Sequence, residues 1–135
     1  IKTLVIRGYV NKMEAAEIKS KMKSINGDID DMEAKKEAYK KLKTKIKEAI
    51  DILKEAKQSN KLSSELLKSY YTSQVSDRKV EKIQDESDKI QSMINDLRDK
   101  VLVEVENQIT SLGTQISNKQ DDIKKLEQQA EQAKE

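Results

Sequence analysis

Acid–base chemistry in this sequence would have to come from carboxylates, lysines and tyrosines, because its 135 residues include no histidine and no cysteine. Three clusters stand out by spacing. In INGDIDDME, residues 25–33, Asp28, Asp30 and Asp31 crowd around Gly27, a set of hard oxygen ligands that suits calcium. An EF-hand loop, however, needs alternating ligands that end in a distant bidentate glutamate. That spacing is missing, and Ile25, Ile29 and Met32 carry a helical apolar pattern straight through the segment. A surface acid cluster is the expected reading.

KKEAYKKLKTKIK, residues 35–47, has the lysine density of a polyanion or lipid-surface site. It holds no arginine and one aromatic residue, which favours a solvated or internally paired helix face; no nucleic-acid partner is expected. The third cluster, LLKSYYTSQVSDRK (66–79), sets Tyr70 and Tyr71, two of the chain's four aromatic residues, side by side near mid-sequence. Carboxylate or lysine catalysis needs an enclosed pocket to shift pKa values, and a helical rod offers none. The expectation is a non-enzyme without cofactor or metal.

The elements that position these clusters are helices. Proline is absent, glycine occurs three times, and 39% of residues are charged against 35% hydrophobic, a composition poor in helix breakers and thin for a globular core. Disorder is the competing reading of such polarity, but the apolar residues are periodic. From Ile18 they step by four and three through Met22, Ile25, Ile29, Met32, Tyr39, Ile46, Ile50 and Leu53, with Lys36 and Lys43 on the same line. This is the 3.5-residue repeat of a helix burying a narrow seam against another.

A second run passes through Val80, Ile83, Ile90, Ile94, Leu97, Val101, Val105, Ile109, Leu112, Ile116, Ile123, Leu126, Ala130 and Ala133. Its steps of four between Leu97 and Ile109 read as a stutter that straightens the helix. Ser76 and Asp77 read as an N-cap and first-turn acid. The break between the runs lies near 72–76, close to residue 74, the midpoint of 13–135. Two nearly equal arms around one turn predict an all-α, long antiparallel two-helix hairpin in which residue i faces roughly 148 − i. Residues 35–61 hold ten lysines against four acids, and 81–106 hold eight acids against four basic residues, which favours the same folding back.

Residues 1–12, IKTLVIRGYVNK, differ in composition, whereas Met13 opens a regular helical pattern. The expectation is an N-terminal extension over 1–12, non-native in origin, and a single hairpin over 13–135. No apolar run is long enough for a transmembrane segment, and no Sec-type leader is apparent.

A small helical hairpin free of proline and cysteine, with a special sequence at its central turn, resembles the ESAT-type and Trp-Xaa-Gly families of type VII secretion. More closely, KKEAYKKLKTKIKEAIDILKEAK, LLKSYYTSQVSD and INDLRDKVLVEVENQITSLGTQI resemble the YwqH-like accessory proteins encoded beside LXG-domain toxins in Gram-positive bacteria, over roughly residues 13–128. The resemblance implies a cytoplasmic partner of the toxin's N-terminal helical domain, serving as targeting factor or chaperone and either exported by type VII secretion or retained. The chain departs from those families in two respects: Tyr70-Tyr71 stands where Trp-Xaa-Gly is expected, and neither Tyr-x-x-x-Asp nor Phe-x-x-x-Asp occurs.

Physical chemistry points to a helical partner independently, since two helices alone rarely bury enough apolar surface to offset chain entropy. Leu42, Ala49, Ile52, Leu66, Leu67, Met93 and Leu102 flank the seam, and Val75 joins the two tyrosines at the tip. All of these except Ala49 form the candidate partner-binding set. The alternative is a homo-oligomeric coiled-coil scaffold or stalk without cargo, a homodimer being its simplest form.

Overall fold

The computed structural model describes the backbone of residues 2–70 and 74–134 and the side chains of 14–70 and 74–132. It is an all-α helical hairpin. Helix α1 runs Lys2–Tyr70, α2 runs Gln74–Asp96, a five-residue π turn spans Leu97–Val101, and α3 runs Leu102–Lys134. The backbone of α1 shows no break at Met13. Of the connection expected at 72–76, residues 72 and 73 lie outside the described residues, as does Tyr71.

Helix α2 begins at Gln74, ahead of the expected start near Asp77, and Asp77 falls inside its first turn. Ser76 is therefore not a cap. It is buried within the helix, four residues before Val80 on the line of the seam.

Contacts divide the chain into two compact units. The first comprises 1–38 and 108–135, the second 39–107. In the first unit, Ile29, Leu112 and Ile116 are buried, and Ile18, Met22, Ile25, Met32, Ile123, Leu126 and Ala130 are half-buried. Lys119 Nζ lies 3.8 Å from Asp28 Oδ2. Lys36 keeps its place on the seam, and a Cβ added at Gly113 would meet its Nζ at 3.4 Å. The glycine gives that long side chain room to cross.

Gly27, by contrast, stands on the outer face with nothing within 4 Å of an added Cβ and no positive φ. Its conformational freedom therefore costs stability without structural return. Gly27→Ala is expected to stabilise the first unit by about 0.5–1 kcal/mol, read as a higher midpoint in thermal unfolding; an unchanged or lower midpoint would contradict this account.

In the second unit the seam consists of buried Ile46, Ile50, Ile94 and Val105, with Tyr39, Leu53, Leu67, Val80, Ile83, Ile90, Leu97 and Leu102 half-buried. Lys57 Nζ donates to Gln91 Oε1 at 2.6 Å, and Lys43 Nζ pairs with Glu106 Oε1 at 3.4 Å. The residue numbers of these pairs add to 148 and 149. The 148 − i pairing read from the sequence therefore holds here, and Lys119–Asp28 follows it in the first unit.

The π turn corrects the stutter. A regular repeat would continue from Leu97 to residues 101, 104, 108 and 111, but the inward residues are Leu102, Val105, Ile109 and Leu112. One residue is in excess, and the chain absorbs it by widening one turn: the Leu102 N–H donates to Leu97 O, five residues back. Val101, expected on the seam, is turned outward at 41% exposure.

Candidate partner-binding surface

Around a helix with seam positions a and d, the heptad order is a, e, b, f, c, g, d, so c and g form one flank and e and b the other. In the second unit these flanks differ in chemistry. In antiparallel pairs the g positions of both helices share one side and the e positions share the other. Lys54, Lys61 and Lys68 of α1 line one groove with Gln84 and Gln91 of α2, and all five occupy e positions. That side is polar.

The opposite flank is apolar along much of α1, whereas on α2 the charged Lys79, Lys82, Glu86 and Lys89 stand between Val75 and Met93. On α1 it carries Leu42, Ala49, Ile52, Ala56, Leu66 and Tyr70, with Leu62 bordering it at an f position, Met93 and Val75 beside them on α2 and Val101 at the π turn. Ile52 is 64% exposed, Tyr70 77% and Val75 63%, while Leu42, Leu62, Leu66 and Met93 are also exposed. Every exposed large apolar side chain among the described residues falls between Leu42 and Val103, inside the second unit.

The predicted set is thus largely brought together. Leu42, Ile52, Leu66, Tyr70, Val75 and Met93 share the open flank. Leu67 and Leu102 do not; both are half-buried on the seam. Leu67 is the inward member of the Leu66-Leu67 pair, and the π turn rotates Leu102 inward in place of Val101. Leu62 was missed, although its distances of four and eight residues from Leu66 and Tyr70 place all three on one stripe.

At the π turn Arg98 Nε lies 2.9 Å from Asp99 Oδ1, and Arg98 Nη2 donates to Asn95 Oδ1 at 3.0 Å. The hydrogen bond to Arg98 holds the Asp99 carboxyl below its ordinary range, and the same bond raises the guanidinium. Both groups stand in solvent, where water and salt screen the pair. Asp30 and Asp31 are exposed, and no group of three acidic, histidine or cysteine side chains among the described residues could hold a metal ion. No helix among the described residues is long and apolar enough to cross a membrane.

No family model, curated protein or solved structure matches the chain.

Proposed function

We propose that the chain is a non-catalytic binding partner whose second unit receives a helix of another protein on its c/g flank. On the resemblance of its pattern to YwqH-like proteins, that protein is the N-terminal helical domain of an LXG-type toxin. The role is then that of an accessory targeting factor or chaperone in type VII secretion. The supporting observation is the concentration of exposed Leu42, Ile52, Leu66, Tyr70, Val75 and Met93 on one flank, with exposed Leu62 at its border. Scattered exposed apolar residues need no explanation, whereas a continuous stripe on a helix marks an interaction surface.

The test is capture from the native host with the parent chain and with Ile52→Ser/Leu66→Ser. The parent should recover a helical toxin domain in fixed stoichiometry. Each lost side chain forfeits about 1.5–3 kcal/mol of burial, so the double variant should lose at least about a hundredfold in affinity while its far-ultraviolet circular dichroism stays unchanged. Equal capture by both proteins, or recovery of no helical partner, would sink the reading.

A further inference from the structure

On the side of the second unit away from the apolar flank, one helical position repeats a single residue type. Lys47, Lys54, Lys61 and Lys68 follow one another at intervals of seven and are all exposed. Seven residues make two turns, so the ammonium groups recur about every 10 Å along one line. The last three line a groove of about 580 Å³ whose floor is small and polar, with Ser64 and Ser87, and Glu65 is the one carboxylate on its lining, between Lys61 and Lys68. On α2 the groove is lined by Gln84, Ser87 and Gln91, and just outside that lining the helix carries Glu81 and Asp88, again seven apart and exposed. Gln84 Nε2 donates to Asp88 Oδ1 at 3.0 Å, holding that carboxylate beside the groove.

The two columns are matched in height. Lys57–Gln91 and Lys43–Glu106 fix the pairing of the arms at sums of 148 and 149, which sets Lys61 level with Asp88 and Lys68 level with Glu81 on opposite rims. We infer that this face pairs with the same face of a second copy of the chain, about a two-fold axis parallel to the helices. That operation preserves height and exchanges rims. Lys61 of each copy then meets Asp88 of the other and Lys68 meets Glu81, every contact occurring twice. Each facing pair of helices is antiparallel, as in an up-down bundle. Lysine stems and Val103, exposed at the b position of the same face, supply the apolar cover.

A two-fold axis across the helices would instead set lysine column against lysine column, and like charge excludes it. An anionic membrane is the other surface a lysine column suits. A membrane-bound helix, however, needs its lysines flanking its apolar stripe, and here the stripe lies on the opposite side of α1. The acidic rim would also repel phosphate. The dimer leaves both c/g flanks open, so it neither requires nor competes with the partner proposed above.

The test is sedimentation velocity on the full chain at low and high salt, with Lys61→Glu/Lys68→Glu, Glu81→Lys/Asp88→Lys and their equimolar mixture. The parent should dimerise at low salt and dissociate as ionic strength rises. Each variant alone should be monomeric, with circular dichroism confirming its helices, because its columns now repel. The mixture should restore a dimer containing one copy of each, since residues 61 and 68 of each copy again face residues of opposite charge at 88 and 81 of the other. A monomeric parent at low salt, variants that dimerise as the parent does, a mixture that stays monomeric, or capture by anionic vesicles in place of self-association would each overturn the inference. Ile52→Ser/Leu66→Ser should dimerise normally; if that variant alone loses the dimer, self-association runs through the apolar flank and the charge register is wrong.

Discussion

Ile94→Ala is expected to cost about 2–5 kcal/mol, a large share of what holds the second unit together. Ile94 is 2% exposed, and no other side chain among the described residues is as fully enclosed. The reason for the size of the effect is the narrowness of the seam. A globular core can relax around a cavity from several directions, whereas around Ile94 only the facing arm and the neighbouring turns of its own helix are there to move in. Fellow buried residues of the unit, Ile46, Ile50 and Val105, are too few to compensate. Ile94→Val, which removes one methyl group, should cost about 0.5–1.5 kcal/mol. The adjacent Met93 is exposed, and Met93→Ala should stay within about 0.5 kcal/mol. Denaturant unfolding measures all three, and hydrogen exchange should place the loss in residues 39–107. Equal effects at 93 and 94 would mean that the seam does not run where it is drawn.

What was legible in advance follows from which physical signal each feature leaves. The seam of α1 leaves the strongest one: steps of four and three from Ile18 to Leu53, with Lys36 and Lys43 in phase, correspond to half-buried or buried side chains at those positions. The lysines keep their places because a long stem can cross the seam and deliver its charge beyond it, toward Glu106 for Lys43 and over Gly113 for Lys36. Arm pairing was legible because two arms of similar length around a polar break admit one antiparallel register. Helix starts were less so. Ser76 has the chemistry of a cap and the spacing of a seam residue, and its place inside a helix that begins at Gln74, together with its burial, decides between them.

The candidate surface shows the same division. Exposure of Ile52, Leu66 and Met93 follows from their lying off the seam by fixed angles. The inward turn of Leu102 does not, since it depends on how the backbone absorbs a phase error. A list of apolar spacings contains the excess residue but does not say whether it is spread over three turns, as a stutter would have it, or concentrated in one. The structure concentrates it, and the outward Val101 next to the inward Leu102 is the visible consequence.

That localisation carries the second large prediction. If the turn at Leu97–Val101 exists to absorb one residue, removing one there should repair the helix. Deleting Asp99 would place Leu102 four residues after Leu97 and Val105 three beyond it, returning the sequence to an unbroken seven-residue repeat. Its ion pair with Arg98 lies in solvent and contributes little. The deletion is therefore expected to leave stability within about 1 kcal/mol of the parent, or to raise it, even though a deletion inside a helix ordinarily rotates everything downstream by about 100°. Deleting Asn118, which is likewise exposed, is the matched control. There the repeat is already in phase, so the loss of one residue would swing Ile123, Leu126 and Ala130 out of the seam and bring Lys124, Glu127 and Glu131 toward it. Forfeiting the burial of Ile123 and Leu126 alone should cost at least about 3 kcal/mol, and pressing charged groups against the seam adds to that cost. Thermal unfolding of the two deletion variants side by side gives opposite expectations from the same chemical change. Equal damage from both would show that the π turn is held by its own local contacts rather than by the phase of the seam on either side of it.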